Sequence, residues 1–120
     1  MPFSKRRRFL NSVVIRSINP DQIREAVRSF ADQIRQNHPE IERVIWFGSW
    51  VTGLPVPGSD VDLCIIVKSS NKPPRERVSD FLPVGFPTGI DLFIYTKNEF
   101  ERLRQSSPGW YTAITSGLEI

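Results

Sequence analysis

One stretch decides how this chain folds, and from Trp46 to Val67 it reads WFGSWVTGLPVPGSDVDLCIIV. Its first residues end an apolar run, which Gly48-Ser49 then interrupts. A loop rich in proline and glycine follows, and a second apolar run opens with Asp60 and Asp62. The stretch therefore predicts a strand, a turn, a loop and a second strand that begins with two carboxylates.

Aspartate is disfavoured in strands, so this pair indicates a role other than strand formation. Successive side chains of a strand alternate between its faces, which puts Asp60 and Asp62 on the same face of the predicted strand Asp60 to Val67. A third predicted strand, Ile90 to Tyr95, carries Asp91. Neighbouring strands lie ~4.8 Å apart, so Asp91 would meet the pair if the two strands were adjacent.

Three carboxylates this close would repel one another and raise their pKa values unless a cation neutralised them. Their oxygen atoms favour Mg²⁺, and two such ions ~3.5 to 4 Å apart can hold a triphosphate and activate a hydroxyl. Gly48 would let the backbone approach a phosphate, to which amide groups and the Ser49 hydroxyl donate. The simpler alternatives are that Gly48-Ser49 is a plain strand-ending turn, that Asp60 caps a turn after Ser59, and that Asp62 and Asp91 are solvated strand ends.

The rest of the chain predicts a small α+β fold. Asn19 and Gln22 have the spacing of a capping box, and Pro20 suits the first position of the helix that follows. This helix has apolar residues at three- and four-residue spacing and ends near Asn37. Thr96 and Glu99 form a second box. A strand is predicted at Ile41 to Phe47. A short helix is predicted at Arg75 to Leu82, with Val78, Phe81 and Leu82 as its apolar contacts. The last predicted element, within Trp110 to Ile120, is a short helix with an extended end.

Composition narrows the class of protein. A chain of 120 residues, 39% hydrophobic and 24% charged, predicts a single soluble domain spanning residues 1–120. No apolar run approaches the ~20 residues of a membrane span. The lone cysteine, Cys64, lies in an apolar strand, which indicates a reduced core thiol and a cytoplasmic protein. The single histidine, His38, follows a helix end and is interpreted as a surface residue.

Residues 1–18 form a basic amino-terminal arm, which holds Lys5 to Arg8 in a chain of net charge +3. One interpretation is a solvated, mobile tail. The other is an arm that contacts nucleic acid or an acidic protein. Ser12 to Ile15 could add a short edge strand.

Gly48-Ser49, ten further residues and then Asp60-Val61-Asp62-Leu63 resemble the Gly-Ser-x10-Asp-x-Asp signature of the nucleotidyltransferase superfamily. That superfamily includes DNA polymerase beta and kanamycin nucleotidyltransferase, and its minimal prokaryotic members are similar to this chain in size. The resemblance extends from about Pro20 to the carboxyl terminus and includes Gly117. It implies the palm-like fold of polymerase beta, a small mixed β-sheet packed by helices.

The resemblance also implies an activity: Mg²⁺-dependent transfer of a nucleoside monophosphate, AMP from ATP, to a hydroxyl acceptor with release of pyrophosphate. Asp60 and Asp62 resemble the ligands of the metal ions that hold the nucleoside triphosphate. Asp91 resembles the third carboxylate, which serves the catalytic metal and helps to deprotonate the acceptor. Gly48 and Ser49 resemble the turn that binds the triphosphate. Relatives often carry an arginine where this chain has Thr52, so a phosphate contact is missing unless Arg43 or Lys68 supplies it.

An alternative follows from the same resemblance. Minimal nucleotidyltransferases are often antitoxins that are paired with a helical HEPN partner in a toxin–antitoxin system. The chain would then be an interaction module of low activity that binds and neutralises its partner. A homo-oligomer would use the same kind of apolar surface, and RNA bound through Lys5 to Arg8 is a third possibility.

Overall fold

The computed structural model describes residues 19–53 and 59–120, apart from the side chain of Thr52. The basic arm, the edge strand expected at Ser12 to Ile15 and most of the Pro/Gly-rich loop lie outside these residues. The elements are α1 (Pro20–Asn37), β1 (Ile41–Phe47), α2 (Ser49–Thr52), β2 (Val61–Val67), α3 (Pro74–Arg77), a 3-10 turn (Val78–Asp80), β3 (Ile90–Thr96), α4 (Lys97–Ser106), α5 (Pro108–Thr115) and β4 (Leu118–Glu119).

The four strands form one mixed sheet in the order β3-β2-β1-β4. β2 and β3 are parallel, whereas β1 is antiparallel to both of its neighbours, β2 and β4. The expected α+β fold, a small mixed sheet packed by helices, is therefore confirmed.

α1 covers one face of the sheet. Both hydrogen bonds of its capping box are present at Asn19 and Gln22, which satisfies amide groups that the first turn would otherwise leave unpaired. Its apolar stripe packs on the side chains of β1 and β2 that point to this face. The buried residues of this layer include Ile23, Val27, Phe30, Ala31, Ile34, Val44, Trp46, Val61, Leu63, Ile65 and Val67.

α4 and α5 cover the other face. Alternation along β2 sends Cys64 and Ile66 into this second layer, where they meet Phe100 and Ile114. Cys64 is fully buried and unpaired, as predicted. Asp62 is on the same side of β2 as Cys64 and Ile66, so it lies on the face of the sheet that α4 and α5 cover.

The segment between β2 and β3 differs from the prediction. The expected helix at Arg75 to Leu82 is one α-turn followed by a 3-10 turn, and Leu82 is 55% exposed instead of packed. The residue that anchors this segment is Arg77, which is 4% exposed. Arg77 donates to both carboxylate oxygens of Glu99 at 2.6 and 3.0 Å and to the carbonyls of Lys72 and Ile94.

No helix within residues 19–53 and 59–120 is long and apolar enough to cross a membrane.

Candidate active site

The parallel register of β2 and β3 brings two of the three aspartates together. Asp62 is the direct partner of Asp91, and on its other side Asp62 is paired with Phe47 at the end of β1. Adjacent strands are ~4.8 Å apart, so the two carboxylates start from neighbouring backbone positions on one face. The condition on which the sequence argument depended, adjacency of the second and third strands, is met.

Asp60 lies just before β2, and two hydrogen bonds fix the backbone of the residue that precedes it. The carbonyl of Ser59 accepts hydrogen bonds from the Trp50 indole at 2.9 Å and from the Thr88 hydroxyl at 3.3 Å. The carboxylate of Asp60 lies against Gly89, where a Cβ atom would stand 2.1 Å from Oδ1. Gly89 therefore permits this close approach, because a larger residue would displace the carboxylate from its present position.

The Gly48-Ser49 turn lies against the same group of carboxylates. Gly48 has φ +88° and ψ −160°, a backbone conformation that is essentially restricted to glycine. A Cβ atom at Gly48 would lie 2.3 Å from Oδ2 of Asp62. The turn predicted as a phosphate cradle and the predicted metal ligand Asp62 are therefore in direct contact.

The Gly48-Ser49 turn could bind a phosphate only through individual hydrogen-bond donors and not through a helix dipole. α2 has only four residues, too few for an appreciable helix dipole. The carbonyls of Gly48 and Ser49 accept hydrogen bonds from Val51 and Gly53, and Ser49 is exposed. A phosphate at this turn would thus rely on individual backbone amides and on the Ser49 hydroxyl.

Apolar surroundings and like charges act together on Asp62. Burial raises the pKa of Asp62 above its ordinary value, and the charges of Asp91 and Asp60 raise it further. Phe47, the register partner of Asp62, forms an aromatic cluster with Phe93 and Trp110, with ring centroids 5.1 to 5.7 Å apart. This cluster is part of the low-dielectric surroundings in which the ionised carboxylate is disfavoured.

The three aspartates fit a divalent cation in the type of their donor atoms. Among residues 19–53 and 59–120, no three Asp, Glu, His or Cys side chains form a ready-made metal-binding group. Asp60 and Asp91 are nevertheless close enough to act on the pKa of Asp62, and all three offer the carboxylate oxygens that Mg²⁺ takes. Asp60 and Asp91 are exposed, so their side chains can turn toward Asp62 to share an ion.

Neither of the two cations considered as substitutes for the missing arginine is near this end of the sheet. Arg43 lies five residues before Gly48 on β1, ~16 Å away along an extended strand, and is paired with Glu119 at 2.9 Å. Lys68 follows the far end of β2. The idea that Arg43 or Lys68 contacts the same phosphate as the turn is therefore wrong.

Two features of the site escaped the sequence analysis. No role was predicted for Gly89, although a glycine just before an aspartate-bearing strand is a usable signal for close backbone approach. The aromatic cluster left no such signal, because Trp110 reaches Phe47 and Phe93 only through the packing of α5.

Comparison with known proteins agrees with this geometry. Residues 27–83 match the family model of the nucleotidyltransferase domain. Among solved structures, the chain is similar to a Sulfolobus solfataricus protein whose own assignment as a nucleotidyltransferase is provisional, with 23% identity and a TM-score of 0.54 over 68% of this chain and 75% of that one. No functionally curated protein matches the chain. That likeness concerns the fold, whereas the family match covers the Gly-Ser turn and both aspartates of the signature.

Proposed function

We propose that this protein transfers a nucleoside monophosphate, AMP from ATP, to a hydroxyl acceptor in a Mg²⁺-dependent reaction. The observation that carries the proposal is the contact of Gly48 with Asp62 beside the cross-strand pair of Asp62 and Asp91. A triphosphate-binding turn and a cluster of carboxylates at one sheet end are the two parts that such chemistry needs.

Each part has a separate role in the proposed reaction. Amides of the turn and the Ser49 hydroxyl donate to the triphosphate and hold it for in-line attack. Asp91 accepts the proton of the acceptor hydroxyl, whose oxygen bonds to the α-phosphorus as the bond to the leaving pyrophosphate breaks. Mg²⁺, held by Asp60, Asp62 and Asp91, would neutralise the triphosphate and stabilise the charge that develops on it.

The test is calorimetric titration of ATP with and without Mg²⁺. We expect Mg²⁺-dependent binding by the wild type and a loss of at least about tenfold in Asp62→Asn, since removing one charged ligand costs on the order of 1.4 kcal/mol or more. Asp80→Asn is the matched control, because Asp80 is an exposed aspartate paired with Lys72 away from the site. Binding that is equal in the wild type and in Asp62→Asn would contradict the proposal.

A second candidate function is the interaction module, and exposed apolar side chains favour it. Leu82 and Val84, on the loop before β3, are 55% and 102% exposed. Large apolar side chains in water are stabilised when a partner covers them. A helical protein of the HEPN type or a second copy of this chain is the proposed partner.

The variant Leu82→Ser/Val84→Ser separates the two functions. If the chain is an interaction module, this variant should lose binding to a purified HEPN protein, or self-association, in sedimentation velocity. Its Mg²⁺-dependent ATP binding should remain that of the wild type. Association that is unchanged in the variant would rule out this loop as the interface.

A further inference from the structure

The carbonyl of Ser59, the residue before Asp60, accepts hydrogen bonds from two distant side chains. The Trp50 indole donates to it at 2.9 Å from nine residues away along the chain, and the Thr88 hydroxyl donates at 3.3 Å from 29 residues away. A carbonyl oxygen has two lone pairs, so it can accept both bonds at once. Both bonds are partly buried, and water therefore competes with them less than it would at an exposed position.

These bonds fix the backbone on the amino side of Asp60. The Ser59 carbonyl and the Asp60 amide belong to one planar peptide group, so holding the carbonyl holds that plane. On the carboxyl side, the amide of Val61 donates to the Gly89 carbonyl at 2.9 Å, which holds the next peptide plane. Asp60 lies outside β2, which begins at Val61, yet the peptide planes on both sides of it are held. The direction in which its side chain leaves the backbone is therefore fixed.

The two donors come from elements that carry the other parts of the proposed site. Trp50 directly follows the proposed triphosphate turn and belongs to α2. Thr88 stands three residues before Asp91, on the segment that enters β3. Neither bond belongs to a strand ladder or to a helix, so the two side chains themselves make the connection. The Ser59 carbonyl is thus bonded to the turn on one side and to the start of β3 on the other.

We propose that Trp50 and Thr88 are positioning residues that act through the Ser59 carbonyl and hold Asp60 in place for a divalent cation beside the turn. The proposal rests on the proposed function, since it concerns the same carboxylates. Its physical basis is preorganisation, because a ligand whose backbone is already ordered loses less conformational entropy when it binds an ion. Without the two bonds, binding of the ion would itself have to order the segment that carries Asp60.

The first measurement uses the full chain without metal or nucleotide. Thr88→Val removes the hydroxyl and keeps the shape of the side chain, whereas Trp50→Phe removes the indole donor and keeps an aromatic ring. Amide hydrogen exchange followed by NMR reports how often the hydrogen bond of the Val61 amide opens. We expect each variant to exchange this amide about three- to tenfold faster than the wild type, and Thr88→Ser, which keeps the hydroxyl, to stay within about twofold. Wild-type exchange in both Thr88→Val and Trp50→Phe would overturn the proposal.

The second measurement is the affinity for Mn²⁺ in a titration followed by electron paramagnetic resonance, because Mn²⁺ takes the same oxygen ligands as Mg²⁺. Trp50→Phe and Thr88→Val should each bind Mn²⁺ about three- to tenfold more weakly than the wild type, whereas Thr88→Ser should bind it within about twofold. Thr115→Val is the matched control, because the Thr115 hydroxyl also donates to a carbonyl, that of Tyr111 at 2.9 Å, but in an exposed bond within α5. The control should change neither the exchange of Val61 nor the affinity for Mn²⁺.

Asp62→Asn in the same titration separates failure of the positioning role from failure of the proposed function. If Asp62→Asn binds Mn²⁺ as tightly as the wild type, the proposed metal site is wrong and the positioning role falls with it. If Asp62→Asn loses binding while Trp50→Phe and Thr88→Val bind like the wild type, the positioning role alone is overturned. Equal affinities of Thr88→Ser and Thr88→Val would also overturn it, because the hydroxyl would then not be the cause.

Discussion

Replacement of Gly48 by alanine tests how the turn and the carboxylates depend on each other. The φ of +88° and ψ of −160° cost a residue other than glycine about 1 to 3 kcal/mol. The new Cβ would lie 2.3 Å from Oδ2 of Asp62, about 1.1 Å inside the ordinary contact range that starts at 3.4 Å. Asp62 must therefore move by about 1 Å, a displacement that in a reacting centre can cost on the order of 10²-fold in rate.

Two other glycines separate backbone strain from this contact. Gly85 has φ +74°, and among residues 19–53 and 59–120 no atom beyond its chain neighbours lies within 4 Å of the position that a Cβ would take there. Gly85→Ala should therefore cost about 1 to 2 kcal/mol and leave ligand binding intact. Gly53 has an extended backbone, and within the described part of the chain its added Cβ would come nearest to the Ser49 carbonyl oxygen, at 3.7 Å. Gly53→Ala should therefore leave stability unchanged or raise it by about 0.4 to 1 kcal/mol.

Urea denaturation and calorimetric titration of Mg²⁺ and ATP measure the two consequences. We expect Gly48→Ala to lower the free energy of unfolding by about 2 to 4 kcal/mol and to weaken ATP binding by about tenfold or more. If Gly48→Ala costs no more than Gly85→Ala and binds ATP like the wild type, Asp62 is not held by the turn and the reasoning fails.

Three further predictions concern an ion pair, a carboxylate and the thiol. The guanidinium of Arg77 holds the pKa of Glu99 at about 2, below its ordinary 4.5; at about 1.4 kcal/mol per pKa unit this corresponds to about 3 kcal/mol of stability, present above pH 4.5 and lost as the pH falls toward 2. In urea denaturation, Glu99→Gln should therefore be less stable than the wild type by about 3 kcal/mol at pH 7, and this difference in the free energy of unfolding should narrow toward pH 2. Its control, Glu101→Gln at an exposed position, should change stability by less than about 0.5 kcal/mol. The raised pKa of Asp62 means that its charge opposes folding at neutral pH, so in EDTA Asp62→Asn should have a higher Tm than the wild type at pH 8. The difference in Tm should shrink as acid protonates the wild-type carboxyl, and an equal Tm at pH 8 would contradict this. Burial raises the pKa of the Cys64 thiol to about 12, so only about one molecule in 10⁴ carries a thiolate at pH 8, and iodoacetamide should label the native protein no faster than it unfolds.

Interactions between residues close in sequence could be predicted from the sequence. Both capping boxes, at Asn19 and at Thr96, are present as expected, because each joins residues three positions apart. Alternation along β2 likewise predicted the opposite faces of Leu63 and Cys64, since it depends only on the geometry of an extended chain. These local rules were enough to identify the fold class and to propose the carboxylates.

Long-range contacts were decided by the tertiary structure. Arg77 has the sequence character of a surface residue, yet it is buried because its partner Glu99, 22 residues away, is brought to it. Leu82 was expected to pack and is exposed, since the helix predicted there ends early. No short-range pattern specifies such pairings.

For the candidate site, the sequence was enough to identify which residues offer carboxylate oxygens, and strand alternation predicted that Asp60 and Asp62 share a face. Packing of the whole chain makes β2 and β3 parallel neighbours in the register that pairs Asp62 with Asp91, and it brings Gly48 and Gly89 against the carboxylates. The physical reason is that strand pairing and close backbone approach depend on burying both faces of the sheet at once, which is a property of the whole packed chain.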